Sequence, residues 1–180
     1  VNGLRACLNK GFLDFVALAD ADVICLTYGT CVGGAIVRGG AIYHGTNWSA
    51  GEFGMMYMNG EYYENIASVT RLVEQAKAMD ASLCDGRTIT TNLDRSDVHV
   101  LVDGWAKQVA EGLASLIHIF NPACMIIGGG IMEDENVFNM VTSKVSELTA
   151  PGFDVNIRSA RFGNSAGLIG AGILAQKLMK

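Results

Sequence analysis

The sequence predicts a single α/β domain in which helices cover a mixed sheet, and three observations support this class. First, the 180 residues suit one domain, with 50% hydrophobic and only 17% charged types, against roughly 25% charged in average domains. Second, short apolar runs bounded by glycines come early in the chain. Third, helical patterns then alternate with further short apolar runs. This composition excludes a disordered tail and a coiled-coil rod.

The early elements follow from hydrophobic spacing and from glycine turns. A helix is predicted over residues 1–15, and a buried strand over 23–27. The glycine-rich stretch 29–34 joins that strand to a hairpin partner at 35–37. Gly39-Gly40 then makes a tight turn before a third strand at 41–43.

The later elements alternate between helix and strand. Apolar residues at three- and four-residue spacing predict helices over 62–76 and 98–120. Asp94 or Ser96 is expected to begin the second helix, and Asn121-Pro122 to end it. The polar stretch between them, 80–92, is predicted as a surface loop. The remaining predictions are a strand at 125–127, a helix at 137–148, an alternating strand at 153–157 and a helix at 168–178.

Charge and cysteine content narrow the class of protein. Lys and Arg number 13 against 18 Asp and Glu, a net charge of -5, so a nucleic-acid partner is not expected. The five cysteines contain no Cys-x-x-Cys pair, which predicts a reduced, cytoplasmic protein with buried thiols. The uncharged stretch 112–132 is interrupted by Asn121-Pro122 and by three glycines, so a membrane span is rejected.

Two glycine-rich corners are candidate ligand loops. The first, Gly29, Thr30, Gly33 and Gly34, can present backbone N–H groups and a hydroxyl to an anion. A glycine hairpin that serves only the sheet is an equal alternative for it. The second corner follows the strand at 125–127, where missing side chains let a flat ligand lie on the main chain. Here a tight strand-to-helix corner is the alternative, and ligand binding is favoured. The second corner consists of Gly128, Gly129 and Gly130.

Two carboxylates are candidate sugar ligands, because paired carboxylates can accept hydrogen bonds from vicinal hydroxyls. Glu52 lies in a loop of small residues, which favours a functional role. Glu64 begins a predicted helix, where a favourable interaction with the helix dipole is explanation enough. The histidines have no metal spacing, so no metal site is predicted; they are His44, His99 and His118.

The stretch 26–54 resembles the signature of the ROK family, named for repressors, open reading frames and sugar kinases. The resemblance continues through 121–130, with Asn121-Pro122 and the three glycines, and through 163–171. It implies an actin-like, ribonuclease-H-related sugar kinase fold. It also implies that residues 1–180 form one domain, the carboxyl-terminal half of such a kinase.

The resemblance implies roles residue by residue. Gly29, Thr30, Gly33 and Gly34 match a phosphate-contacting hairpin, and the triplet Gly128, Gly129 and Gly130 matches an adenosine-side loop. Sugar contacts are implied for three residues: Asn2, Glu52 and Glu64. The implied ligands are ATP with Mg²⁺ and a sugar, and the implied assembly is a homodimer.

The sequence departs from the family pattern at three places. Met55 stands where the family has a histidine, and residues 56–63 contain no cysteine, so no zinc is expected. The catalytic aspartate is expected immediately before Val1, so no catalytic residue is assigned within the chain. We therefore expect a sugar kinase in the parent protein and no kinase activity in these 180 residues alone. A sugar-sensing domain of a repressor is the alternative.

Overall fold

The computed structural model describes residues 21–160. Asn2, Cys7, the motif at 163–171 and the helices predicted at 1–15 and 168–178 lie outside the described residues. The strands are β1 Val23–Tyr28, β2 Val32–Arg38, β3 Ala41–Tyr43, β4 Tyr57–Met58, β5 Glu61–Tyr62, β6 Cys124–Gly128 and β7 Asn156–Ser159. The α-helices are α1 Tyr63–Ala67, α2 Val69–Met79, α3 Gly86–Thr90, α4 Ser96–Phe120 and α5 Glu135–Leu148, and 3-10 turns lie at Phe53–Met55 and Gly130–Glu133.

A five-stranded mixed sheet in the order β3-β2-β1-β6-β7 forms the centre of the described structure. β1 pairs antiparallel with β2 and parallel with β6, and Thr27 is the partner of Gly128. The carboxyl ends of β1 and β6 therefore meet at one edge of the sheet. This edge is where open α/β sheets place their ligands. The mixed sheet covered by helices confirms the predicted class.

Helix α4 is the main support of the sheet. It has 25 residues, and its apolar face packs on β1 and β6 together with α5. The indole N–H of Trp105 donates to the carbonyl of Ala67 at 3.1 Å, which ties α4 to α1. Asn121 ends α4 in a left-handed conformation (φ 40°), as the prediction of an Asn-Pro stop requires.

The helix predicted over 62–76 is wrong as one element, because the chain breaks it at Ser68. Ser68 has extended backbone (φ -69°, ψ 154°), and its hydroxyl accepts from the N–H of Arg71 at 3.3 Å. It thus ends α1 and caps α2. The break turns α2 toward the edge where β1 ends, because the N–H of Val69 donates to the carbonyl of Gly29 at 2.9 Å.

Two further predictions need correction. The loop predicted over 80–92 contains α3, begun by a capping box of Asp85 and Thr88, and it buries Leu83 and Ile89 completely. The strand predicted over 153–157 instead lies at Asn156–Ser159, where it pairs with β6. Phe153 and Val155, which precede this strand, pack against the core from outside the sheet.

The cysteines only partly match the prediction. Cys25 and Cys124 are buried on neighbouring strands, whereas Cys31 and Cys84 are exposed, so the prediction of buried thiols is wrong for the latter two. Between residues 21 and 160 no helix has the length and apolar character needed to cross a membrane.

Candidate functional site

The two glycine corners meet at the carboxyl edge of the sheet. Gly129 has a φ of 115°, and a Cβ there would lie 1.9 Å from the carbonyl oxygen of Tyr28. Only glycine permits this approach, so the chain after β6 rests directly on the end of β1. Gly29, in contrast, has open space where a Cβ would lie. Its N–H donates to the carbonyl of Cys31 at 3.1 Å and its carbonyl accepts from the N–H of Val69 at 2.9 Å, so both of its backbone polar groups already have partners.

A cleft of about 880 Å³ opens at this edge, and Gly29, Thr30 and Gly130 contribute to its lining. Helix α2 supplies one wall with side chains spaced by four residues, and α3 and the turn after β6 supply the others. The apolar lining residues include Val69, Val73 and Ile131, and the cationic ones are Lys77 and Arg87. The lining also contains the carboxylates of Glu74, Asp85, Glu133 and Asp134. An apolar wall beside two cations suits a flat, phosphorylated ligand.

Two carboxylates in the cleft have structural partners. Asp85 accepts from the N–H of Thr88 at 2.7 Å, and the hydrogen bonds from Thr88 lower the pKa of this carboxyl. Asp134 accepts from the N–H groups of Asn136 and Val137 at 3.0 and 3.2 Å, which caps α5. Both carboxylates therefore stabilise helix starts at the rim of the cleft.

A second cavity, of about 390 Å³, adjoins the first. It is lined by Cys31, Glu64 and Asn65 among others, and it shares Thr30, Thr70 and Glu74 with the larger cleft. Glu64 lies beside Gly54, since a Cβ on Gly54 would be 3.0 Å from Oε2 of Glu64. The pKa of the Cys31 thiol is raised, first by burial and then by the neighbouring carboxylate of Glu64. The two cavities thus adjoin along Thr30 and the first turns of α2.

Glu52 lies outside the lining of both cavities. It is half-buried and precedes the 3-10 turn Phe53–Met55. The turn is held on β2 because the ring of Phe53 fills the space beside Gly34, where a Cβ would lie 2.3 Å from it. The structure therefore brings Glu64, and not Glu52, into a cavity.

The other predicted glycines lie within packed backbone. Gly34 receives Phe53, Gly33 faces Thr27, and Gly128 lies against Ala160. None of these three, nor Gly129, lines the cleft, whereas Gly29, Thr30 and Gly130 do. The nucleotide contacts of the remaining four stay predictions.

Two cationic residues of the cleft were missed by the sequence reading. Lys77 follows Val69 and Val73 at four-residue spacing, so the helical pattern already placed it on the face that carries them. Arg87 lies in the stretch that was interpreted as a loop. The signal for it was the N-cap pattern of Asp85 and Thr88, which predicts a short helix.

In residues 21–160 no group of three or more His, Cys, Asp or Glu side chains could hold a metal ion. The donor set fits Mg²⁺ held mainly by phosphate oxygens and water, with one or two protein carboxylates. Glu133 and Asp134 both line the cleft, and Oδ1 of Asp134 already accepts from two N–H groups of α5, so Glu133 would be the carboxylate to contact such an ion. Bound there, the ion would neutralise phosphate charge.

Comparisons with known proteins agree with this architecture. A family model described as ROK family matches residues 16–178. A β-glucoside kinase of Listeria innocua is 31% identical, over 83% of this chain and 55% of that protein. A glucokinase of Halalkalibacterium halodurans is 27% identical, over 87% of this chain and 56% of that protein. The chain thus spans about half the length of these curated relatives.

A solved structure extends the comparison to the fold. The crystal structure of a ROK hexokinase from Thermus thermophilus superposes with a TM-score of 0.83 and 25% sequence identity, covering 100% of this chain and 67% of that one. The fold is therefore the actin-like, ribonuclease-H-like fold of the ROK sugar kinases.

Proposed function

The chain belongs to the ROK family, and from that premise we propose that it is the carboxyl-terminal half of an ATP-dependent sugar kinase. One observation carries the proposal: the larger cleft and the smaller cavity adjoin and share Thr30, Thr70 and Glu74 in their linings. Phosphoryl transfer requires the donor and acceptor oxygens on opposite sides of one phosphorus atom, so two adjoining cavities are the expected arrangement.

The nucleotide occupies the larger cleft in this proposal. Its base lies against the apolar wall of Val69 and Val73, and its phosphates pass over Gly29, which has no side chain, to reach the hydroxyl of Thr30. Lys77 and Arg87 offset part of the phosphate charge at the open side. In this proposal Mg²⁺ binds together with the nucleotide phosphates.

The sugar occupies the smaller cavity, with its hydroxyls toward Glu64 and toward Glu52 on the adjoining turn. Its reacting hydroxyl forms the new bond to the γ-phosphorus while the bond to the β-phosphate oxygen breaks. The hydroxyl proton passes to a carboxylate expected just before Val1. The rest of the full-length protein closes the cleft, so residues 1–180 alone are expected to be inactive.

The test is ATP-dependent phosphorylation by the full-length protein, measured as ADP release with glucose, β-glucosides and N-acetylated amino sugars. We expect turnover with at least one of them. Thr30→Val removes the hydroxyl at the junction with little change of volume, and we expect kcat to fall by about 10²-fold. Thr142→Val, on α5 and away from both cavities, is the matched control and should leave kcat unchanged.

A failure of this test would be informative. No turnover with any of these sugars would contradict the proposed kinase activity. If sugars still raised the melting temperature of the full-length protein, the repressor alternative would be favoured, because a sensor needs binding without turnover.

A further inference from the structure

The loop of residues 44–51, which joins β3 to Glu52, holds its tryptophan in an unusual conformation. Trp48 has a φ of 66°, in the left-handed region that large side chains rarely adopt. Its side chain is nevertheless 67% exposed, so burial of the ring does not explain the strain. Backbone outliers of this kind cluster at ligand sites.

Contacts within the loop fix the position of the indole. The N–H of Ala50 donates to the carbonyl of His44 at 3.1 Å, which closes the loop. The imidazole of His44 stacks on the indole with ring centroids 4.1 Å apart and planes 37° apart. One face of the indole is thus supported from within the loop, and the exposed ring is presented as a platform.

His44 adds a second indication of a ligand. Its Nδ1 atom is buried and has no hydrogen-bond partner in the described part of the chain. Buried polar atoms are almost always hydrogen-bonded, so this nitrogen lies where a partner is expected. The imidazole that contacts the indole and the nitrogen that has no partner both belong to His44.

The place of the loop in the fold favours the acceptor side. The linings of the larger cleft and of the smaller cavity include no residue of this loop, so the indole lies outside both. The loop instead ends at Gly51, which packs on the backbone of Ala35, a contact that a Cβ would make at 2.9 Å. Glu52 follows directly, four residues from Trp48 and within about 13 Å of extended chain.

We propose that the Trp48 indole is a stacking platform for the second ring of a two-ring acceptor, a disaccharide or glycoside whose first ring lies at Glu52. The inference rests on the proposed function. The C–H groups on the apolar face of a pyranose are slightly positive and meet the negative face of the indole. Because the loop lies outside the lining of the smaller cavity, a first ring held there needs a second ring to reach the indole.

Tryptophan fluorescence tests the platform without relying on turnover. Trp105 is buried, at 2% exposure, so the emission of Trp48 is obtained by subtracting the spectrum of Trp48→Phe from that of the full-length protein. We expect cellobiose or maltose, which differ in linkage, to shift this emission to the blue and to reduce its quenching by iodide. Glucose should leave it unchanged. No response to either disaccharide would overturn the proposal.

Kinetics of the same protein give a second measurement. Trp48→Ala is expected to raise KM for the accepted disaccharide about tenfold and KM for glucose less than twofold, with kcat little changed. Tyr57→Ala is the matched control, because Tyr57 is an exposed aromatic (71%) on the β4–β5 hairpin. An equal rise for both sugars, or an equal effect of Tyr57→Ala, would overturn the assignment to Trp48.

The outcomes separate this inference from the proposed function. If glucose and disaccharides are phosphorylated but Trp48 responds to neither, the platform fails and the kinase stands. If no sugar is phosphorylated but disaccharides still shift the Trp48 emission, the kinase fails and the platform stands. If Trp48→Ala converts a dimer to a monomer and leaves KM for the disaccharide unchanged, the indole is a contact between copies and the platform is overturned.

Discussion

The proposed nucleotide side rests on a close-packed backbone corner beneath its cleft, whereas the carboxylate and the indole proposed for the acceptor side lie on a short helix and a loop. At the ends of β1 and β6, Gly129 lies against Tyr28 with no room for a Cβ. On the acceptor side, Glu64 and Trp48 are half-exposed or exposed and lie on a short helix and a loop. The geometry of the first region is thus part of the fold, while the second can change its chemistry without unfolding the protein. Substitutions should therefore affect stability in the first region and acceptor affinity in the second.

The strongest test of this contrast is Gly129→Ala. A methyl group there would overlap the carbonyl of Tyr28 at 1.9 Å, and alanine is also strained at a φ of 115°. We expect a loss of about 3 kcal/mol or more in the free energy of unfolding, measured by urea denaturation.

Gly152→Ala is the matched control, because Gly152 has a φ of 91° and open space around the added Cβ. Gly152→Ala introduces the conformational strain without the steric overlap, and it should lower the free energy of unfolding by about 1 kcal/mol. Similar losses for the two variants would mean that the corner after β6 is not held by backbone packing.

The central sheet could be predicted because its strands are continuous apolar runs bounded by glycines. The break at Ser68 could not be predicted, because apolar residues at helical spacing continue on both sides of it. That break depends on a distant residue: the indole N–H of Trp105 donates to the carbonyls of Ala67 and Ser68 at 3.1 and 3.3 Å. A helix running through Ser68 would use these carbonyls within its own backbone.

The candidate site likewise has a part that the sequence predicts and a part that it does not. The sequence identifies both glycine corners as candidate ligand loops, and the parallel pairing of β1 with β6 brings Gly29 and Gly130 to one cleft. The pair Lys77 and Arg87 comes from separate helices that meet only in three dimensions. Side-chain convergence of this kind depends on how helices pack, and no spacing in the sequence encodes it.

On the acceptor side, Glu52→Gln should act on sugar affinity with little effect on folding. Replacing a charged acceptor weakens its hydrogen bonds to hydroxyls, so we expect KM for the sugar to rise about 10- to 100-fold and KM for ATP to change little. Steady-state kinetics of the full-length protein with each substrate varied in turn would measure both.

Glu147→Gln, an exposed carboxylate on α5, is the control and should change neither KM. Equal increases for sugar and ATP would remove Glu52 from the acceptor side. A large drop in melting temperature would contradict the view that this side tolerates change of its side chains.

A smaller effect is expected from Arg87→Met on the open side of the nucleotide cleft. The guanidinium lines the cleft from α3, and its loss removes one charge-assisted contact to phosphate. We expect KM for ATP to rise about tenfold with KM for the sugar unchanged. Lys107→Met, an exposed cation on α4, should leave both constants unchanged, and a matching effect there would mean that general surface charge attracts the nucleotide.

The smallest effect is expected at a cluster remote from both sides, where Arg95 contacts Asp80 at 2.7 Å and Asp97 at 2.8 Å. Hydrogen bonds from Arg95 and Ser82 hold the pKa of Asp80 well below its usual range. A carboxyl whose pKa is lowered by folding stabilises the protein above its unfolded pKa of about 4, and this contribution is lost as pH falls below that value. Asp80→Asn should therefore lower the melting temperature slightly at pH 7, with a difference that shrinks toward pH 2, and leave both KM values unchanged.

Asp154→Asn, an exposed carboxylate before β7, is the control for the pH series and should show no such trend. If Asp80→Asn instead altered KM for ATP, the Arg95 cluster would be coupled to the cleft through α3 and α4. The contrast between a backbone-built nucleotide side and a side-chain-built acceptor side would then be incomplete, because a surface ion pair would also set the shape of the cleft. If Asp80→Asn changes only stability, the ion pair plays no part in the site. The packing of Gly129 on Tyr28 is then the feature that holds the nucleotide side in place.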